Sequence, residues 1–453
     1  MKLCPIFVVA LLLLLGPAAY AQNAQDEPTP SYQEPSGPSH LGDEAPALAT
    51  DSDIETRNVL VAGFSMGAAY DNRGLYHTGA SPYYSSDTRY FLQPSIGLRR
   101  RFSEGDWTLS YTPGASISQH DPGDSQYSNN FAGDLNWKPN SNFQFHARQD
   151  YSITDNPFQS VGNVELLPAL GGPFGPNYDG VLPQTRRTSL VSTADLTCRV
   201  AEHSAVGLTG GYQRYDYDAV NLGGGTLLFP FVNSDVYTGS AFFSQQLSPA
   251  VNAGVQLAYI DIYSRGAMVS RTQAPSPMLF VKYTPNAHLQ ITLYGGPQYS
   301  RTRDVITVGG LFSTVVYEHR WYPTYGGSLS WGGRRNAFDL QGMRRISNGA
   351  GVLDAVQETN AGAGYRLRFT QRLLGEVRTN WSDEKGIGAL SSGSYFHSIW
   401  AGGGPVLELK RSLALRLEAA YVHQSQLGLS TAFGNHFLLQ ASLDYRFHKN
   451  LGD

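Results

Sequence analysis

The sequence predicts an all-β fold: a single antiparallel transmembrane β-barrel of about 18 strands (16 to 18), with short turns at one rim and long loops at the other. Three observations lead there. From about Asn58 to Phe447, apolar and polar residues alternate in segments of roughly 12, longer than soluble strands and suited to a tilted membrane crossing. A very short connection and a long one follow each other in regular succession. Aromatics gather where segments end. Tyr70, Tyr90, Tyr151, Tyr237, Tyr299, Tyr325, Trp381, Tyr395 and Tyr421 lie toward the loops, and Phe102, Trp107, Trp137, Tyr283, Trp331 and Phe447 toward the turns, as two interfacial belts require.

Composition permits this reading. The 453 residues include 15% charged residues, 49 Gly and 27 Tyr, with a mean hydropathy of -0.28. After residue 21 no apolar run reaches the roughly 18 residues of a spanning helix. The net charge of -4 and the absence of long basic runs give no reason to expect a nucleic-acid partner.

In chain order, the first element is a secretory signal. Lys2 precedes an apolar stretch from Ile6 to Leu15, then Gly16-Pro17 and the small-x-small triplet Ala19-Tyr20-Ala21, so residues 1–21 read as a cleaved signal peptide. Cys4 leaves with it. Cys198 then has no partner for a disulfide and is expected to face lipid as a small apolar residue. Residues 22–57 carry Pro28, Pro30, Pro35, Pro38 and Pro46 with few large apolar side chains, and too little surface to offset ordering entropy. They are expected to form a flexible periplasmic leader. Residues 58–447 form the barrel, and 448–453 a short periplasmic tail.

Strands can be counted from their tight turns: Ser103-Glu104-Gly105-Asp106, Pro139-Asn140-Ser141-Asn142, Ala201-Glu202-His203-Ser204, Ser248-Pro249-Ala250, Pro285-Asn286-Ala287, Gly332-Gly333-Arg334-Arg335-Asn336, Thr370-Gln371-Arg372 and Lys410-Arg411-Ser412. Eight turns join eight pairs, and a first and a last strand complete the even total. Between them lie long segments, among them Asp71 to Asp87, Asp155 to Thr185, Asp216 to Asn233, Arg303 to Val316 and Asp383 to Gly393. The strand containing Pro275 and Pro277 is the weakest.

Alternation is clearest near the carboxyl end. Leu413, Leu415, Leu417, Ala419 and Tyr421 oppose Arg416, Glu418 and Gln424, and Phe437, Leu439, Ala441, Leu443, Tyr445 and Phe447 oppose Gln440, Ser442, Asp444 and Arg446. The apolar set is the lipid face. The signal peptide, the alternating turns and loops, and a last strand ending in Tyr445-Arg446-Phe447 resemble Gram-negative outer-membrane porins, and among them the β-barrel porin-2 group. Six residues follow the last aromatic here, a departure from that pattern. The resemblance implies an outer-membrane location, outer-membrane lipid around the wall, assembly by the barrel-assembly machinery, and passage of a hydrophilic solute.

The inward set carries both signs. Asp134, Arg148, Asp150 and Asp195 come from the first half; Asp339, Arg345, Glu358, Arg366, Arg368, Glu376, Arg378, Arg416, Glu418, Asp444 and Arg446 crowd the last six strands. Such charges can brace the wall as ladders or form a track for a polar solute. The segment Asp155 to Thr185, with Leu166, Leu167 and Phe174, is too apolar for a solvated loop and is the candidate constriction; Leu222 to Phe231 has the same character. Packing of these loops on each other or on a second copy of the chain is the other reading.

Enzymatic signals are weak. Gly63-Phe64-Ser65-Met66-Gly67 matches a nucleophile elbow, but that chemistry needs a strand, a turn and a helix, and Ser65 sits mid-strand. The 11 histidines show no metal-ligand spacing, and neither an enzyme nor a cofactor is expected. A diffusion channel for small hydrophilic solutes is the first function expected. The alternative is export or assembly of a surface polysaccharide, for which an acidic polymer would call for a net basic lumen rather than seven Arg against eight acids.

Overall fold

The computed structural model describes residues 58–78, 81–119, 126–154, 187–217, 232–265, 269–308, 312–333, 335–349, 353–388, 393–410, 412–426 and 435–451. The signal segment, the leader and the segment with Leu166, Leu167 and Phe174 lie outside them, as does all of Leu222 to Phe231.

Nine strands make the first half: β1 Val59–Thr78, β2 Ser81–Phe102, β3 Gly105–Ser118, β4 Gln126–Asn140, β5 Phe143–Thr154, β6 Arg187–Ala201, β7 Ser204–Tyr217, β8 Asn233–Ser248 and β9 Val251–Arg265. The second half holds β10 Val269–Asn286, β11 Leu289–Val308, β12 Phe312–Gly332, β13 Asn336–Ser347, β14 Val356–Arg368, β15 Leu373–Gly386, β16 Tyr395–Lys410, β17 Leu413–Gln426 and β18 Asn435–Asn450. Every strand runs antiparallel to its chain neighbours. β1 pairs with β18 from Val59↔Asn450 to Asp71↔Leu438, so the sheet closes into an 18-stranded barrel.

All eight expected tight turns join strands at one rim. The other rim differs from expectation at two places. Residues 71–78, 81–87, 303–308 and 312–316 belong to strands: β1 pairs with β2 as far as Thr78↔Ser81, and β11 with β12 as far as Val308↔Phe312. Polar composition hid these extensions, because a strand that rises past the apolar band no longer needs an apolar face.

The outer face follows the alternation. Leu417, Tyr421, Phe437, Leu439 and Phe447 are exposed, while Glu418, Gln424, Gln440, Ser442 and Asp444 are buried on the inner face. Aromatics mark both edges of the band on β12, where Trp331 and Trp321 point outward ten residues apart, roughly 25 Å of rise for a tilted strand. The strand with Pro275 and Pro277 is β10, and it pairs with β9 throughout. Its ladder to β11 lapses between Gln273↔Arg301 and Leu279↔Gly295, where Pro275, Pro277 and Pro297 supply no N–H. Ser276 Oγ donates to the Pro297 carbonyl at 3.3 Å instead.

Leu279, 66% exposed in the middle of β10, tests which face meets lipid. Leu279→Arg is expected to lower unfolding stability by about 2–4 kcal/mol, read by urea titration of the barrel in phospholipid vesicles. An unchanged midpoint would contradict a lipid-facing outer surface.

Candidate functional site

The charges named from the sequence take the following places in the wall. Arg148 Nε donates to Asp150 at 2.7 Å, Arg345 Nε approaches Glu358 at 3.5 Å, Arg378 pairs with Glu376, and Arg416 Nε lies 3.8 Å from Asp444. Asp444 also accepts from Ser65 Oγ at 2.6 Å, which places Ser65 in the closing seam of the wall rather than at an elbow. Asp339 faces Gly364 across the β13–β14 ladder, and Arg366 sits beside Glu376 across β14–β15. Arg446 pairs in register with Gly63 on β1. Glu418 is buried on β17, and Arg368 is exposed at the turn rim.

A niche lies in this charged wall among the described residues. Gly402 and Gly404 take inward positions on β16, between Glu376 and Arg378 of β15 and Arg416 and Glu418 of β17, with Trp400 above them. Asp134 and Asp195 flank His146, a residue that no sequence motif singles out: it bonds Asp134 through Nε2 at 2.8 Å and Asp195 through Nδ1 at 3.3 Å. Among the described residues no three His, Cys, Asp or Glu side chains could hold a metal ion. Cys198 forms no disulfide and stands in line with Leu196 on the outward row of β6.

The inner face is not polar throughout, contrary to expectation. Phe242 of β8, Ala258 of β9, Met278 and Phe280 of β10, Tyr294 of β11 and Met343 of β13 form a buried apolar cluster on it. A second cluster lies nearer the loop rim and joins Val236, Ile260, Ile262 and Ala274 of β8 to β10 with Ile346, Ala355 and Ile387.

That second cluster shows where part of the wall turns inward. The outward row of β13 runs through Phe338, Leu340, Gly342, Arg344 and Ile346. Leu340 is 46% exposed, yet Ile346 is 0% exposed and packs in one cluster with the inner wall of β9 and β10 and with Tyr322 of β12. The face that meets lipid lower down therefore meets the inside of the opposite strands higher up. The loop-rim end of the β13–β14 hairpin has folded into the lumen. Polar contacts pin it there: Ile346 N donates to Gln298 Oε1 of β11 at 3.1 Å, and Ser264 Oγ of β9 donates to the Asp354 carbonyl at 3.2 Å. The following β15–β16 connection comes with it, since Ile387 N donates to the Ala355 carbonyl at 2.9 Å. Gly388, at φ +103°, sits against Asp304 and Thr302 of β11, where a Cβ would come within 3.0 Å of both side chains.

Infolding leaves a seam in the wall. The β12–β13 ladder runs only from Gly332↔Ala337 to Tyr325↔Arg344, while β12 continues to Phe312 beside β11.

At the hairpin tip, burial pushes the Asp354 carboxyl up from 3.8 to about 6, and the Asp304 carboxylate adds to the shift. The seated hairpin thus keeps a proton that a released one gives up near the ordinary carboxyl value. Seating is most favourable below about pH 4, weakens as pH rises toward about 6, and levels off above. Single-channel conductance is expected to rise across that window and to lose the rise in Asp354→Asn. A pH profile unchanged by the substitution would remove Asp354 from this role.

No known family profile matches the chain, and no curated protein matches it. Among solved structures, the siderophore receptor PiuA from Acinetobacter baumannii is 7% identical, with 90% of this chain and 82% of that one covered at a TM-score of 0.45. The outer membrane protein OpdK from Pseudomonas aeruginosa is 11% identical, with coverage of 86% and 99% at 0.42. OccAB2 of Acinetobacter baumannii is 12% identical, with 86% and 98% covered at 0.42.

Proposed function

We propose that this protein is an outer-membrane channel of a Gram-negative-type bacterium, passing small hydrophilic solutes by diffusion through the barrel. One observation carries the reading: a closed 18-stranded wall with an apolar, aromatic-edged outer face and paired charges of both signs inside. A wall of that size encloses an aqueous lumen unless something folds in. The β13–β14 hairpin is that something, so the channel is narrowed from within its own wall. On this reading residues 1–21 direct export and are removed, the tight turns face the periplasm, and the outward Tyr445 and Phe447 on the last strand suit recognition by the barrel-assembly machinery.

The inner ion pairs are local, within one strand or between adjacent strands, which favours a braced wall around a neutral track over a basic conduit for an acidic polymer. Purified protein in planar bilayers is expected to show discrete, reproducible conductance steps. Silence in both the wild type and a variant whose hairpin is unseated would sink the channel reading.

A further inference from the structure

We propose that the seam between β12 and β13 is a lateral portal. Through it a single-chain amphiphile with a carboxylate head moves between the outer leaflet and the inner wall of β8–β11. The inference rests on the outer-membrane placement of the channel reading and goes beyond it, adding a second class of substrate and a separate route. Three observations lead to it.

The β12–β13 ladder stops short of the outer edge of the apolar band. The last β12–β13 pair is Tyr325↔Arg344, four residues below the outward Trp321, so the missing ladder covers roughly the outermost 10 Å of the apolar band. Backbone groups left open in hydrocarbon are costly, and a gap there persists only where it borders a lined cavity or exchanges partners.

An apolar path starts behind the gap. Tyr322 on the inner side of β12 touches the upper cluster of Ile260, Ile262 and Ala274; below it, past Ser276 on β10, lies the lower cluster of Met278, Phe280 and Tyr294. Side chains lining a route for hydrophilic solutes gain nothing from this composition, whereas an alkyl chain would. Ile346, Ala355 and Ile387 fill the upper part of the path now and occupy the place an alkyl body would take.

The path ends at an unpaired cation. Lys282 is inward on β10, two residues beyond Phe280 toward the turn rim, and makes no ion pair among the described residues. Its register partners are Thr292 on β11 and Asn252 on β9. Thr292 is 1% exposed, and its hydroxyl is buried without a hydrogen-bond partner among the described residues. A carboxylate would receive hydrogen bonds from the Lys282 ammonium and the Thr292 hydroxyl. From Ala274 to Lys282 the inner row of β10 spans roughly 27 Å, enough for a long alkyl chain with its head at Lys282.

The test uses the full mature chain in phospholipid vesicles with pyrene-labelled hexadecanoate as probe. In a Cys198→Ala background, Tyr322→Cys with Ser347→Cys places thiols at positions that become directly paired if the ladder is continued by three more pairs. Oxidation is expected to stitch the seam and abolish probe movement from leaflet to barrel, with recovery on reduction, while ion conductance persists. Lys282→Gln is expected to weaken binding of the carboxylate probe by about tenfold, as loss of a charged hydrogen bond does, and to leave a pyrene-labelled hexadecanol unaffected. Conductance in the wild type with no probe transfer, or transfer indifferent to the disulfide, would overturn the portal and spare the channel. Equal weakening of the acid and the alcohol by Lys282→Gln would overturn the assignment of the head site.

Discussion

Ile346→Asp is expected to raise single-channel conductance severalfold and to make the openings noisier, because it unseats the β13–β14 hairpin without touching the membrane wall. The isoleucine is fully buried among Ile260, Ile262 and Ala274. Removing it forfeits about 1.5–3 kcal/mol of apolar burial. An ionised carboxylate left unpaired in the same place would cost more still. Against this stand the Gln298 and Ser264 hydrogen bonds, each worth about 1 kcal/mol net. The hairpin therefore leaves its seat. Ile346→Val, which keeps most of the apolar contact, serves as the control with near-native conductance. If Ile346→Asp conducts like the wild type while folding normally, the hairpin is not what narrows the lumen.

The second large effect concerns formation of the wall. Gly403→Val is expected to abolish the folded, heat-modifiable form on cold gel electrophoresis after refolding into vesicles. Gly403 has φ +152°, and a Cβ there would fall 2.0 Å from the Glu376 carbonyl oxygen on β15. The neighbouring strand backbone cannot retreat without losing its ladder. Strain from a side chain in this sparsely populated region costs about 1–3 kcal/mol, and overpacking against backbone about 1–3 kcal/mol more. Gly393, also at positive φ but with nothing within 4 Å of where a Cβ would stand, offers the contrast. Gly393→Val should fold, since it carries the backbone strain without the collision.

Much of the wall was legible in the residues because a membrane barrel imposes one rule along its whole length. Lipid outside requires apolar side chains at every second position, and tight turns require Gly, Asn, Pro or Ser, so Leu413–Tyr421 and Pro139–Asn142 announce strand and turn directly. Arg416, Glu418 and Asp444 share the parity opposite to the exposed Leu417 and Tyr445, and Glu418 and Asp444 are buried. The infolded hairpin was not readable, for a physical reason. Ile346 continues the outward row of β13, and nothing in that row says that its upper end will turn from lipid to the inside of β9 and β10. One signal was available. Met278-Leu279-Phe280-Val281 and Phe242-Phe243 break the alternation with consecutive apolar residues, the pattern of strands covered on both faces. Those strands carry the inner apolar clusters.

The closing pair of strands sets the order in which the protein can come into being. Ser65 and Asp444 meet across a separation of 379 residues, and all thirteen pairs between β1 and β18 are similarly remote in the chain. Contacts of such high order form late, because the entropy of bringing distant segments together must be met before any of them contributes. Until then β1 presents an unpaired edge, a template for pairing with any other strand it meets. A chain released short of its final segment is thus left with two sticky borders. The last sixteen residues of the wall decide whether the molecule becomes a sealed ring or an aggregate, a form of quality control written into its topology.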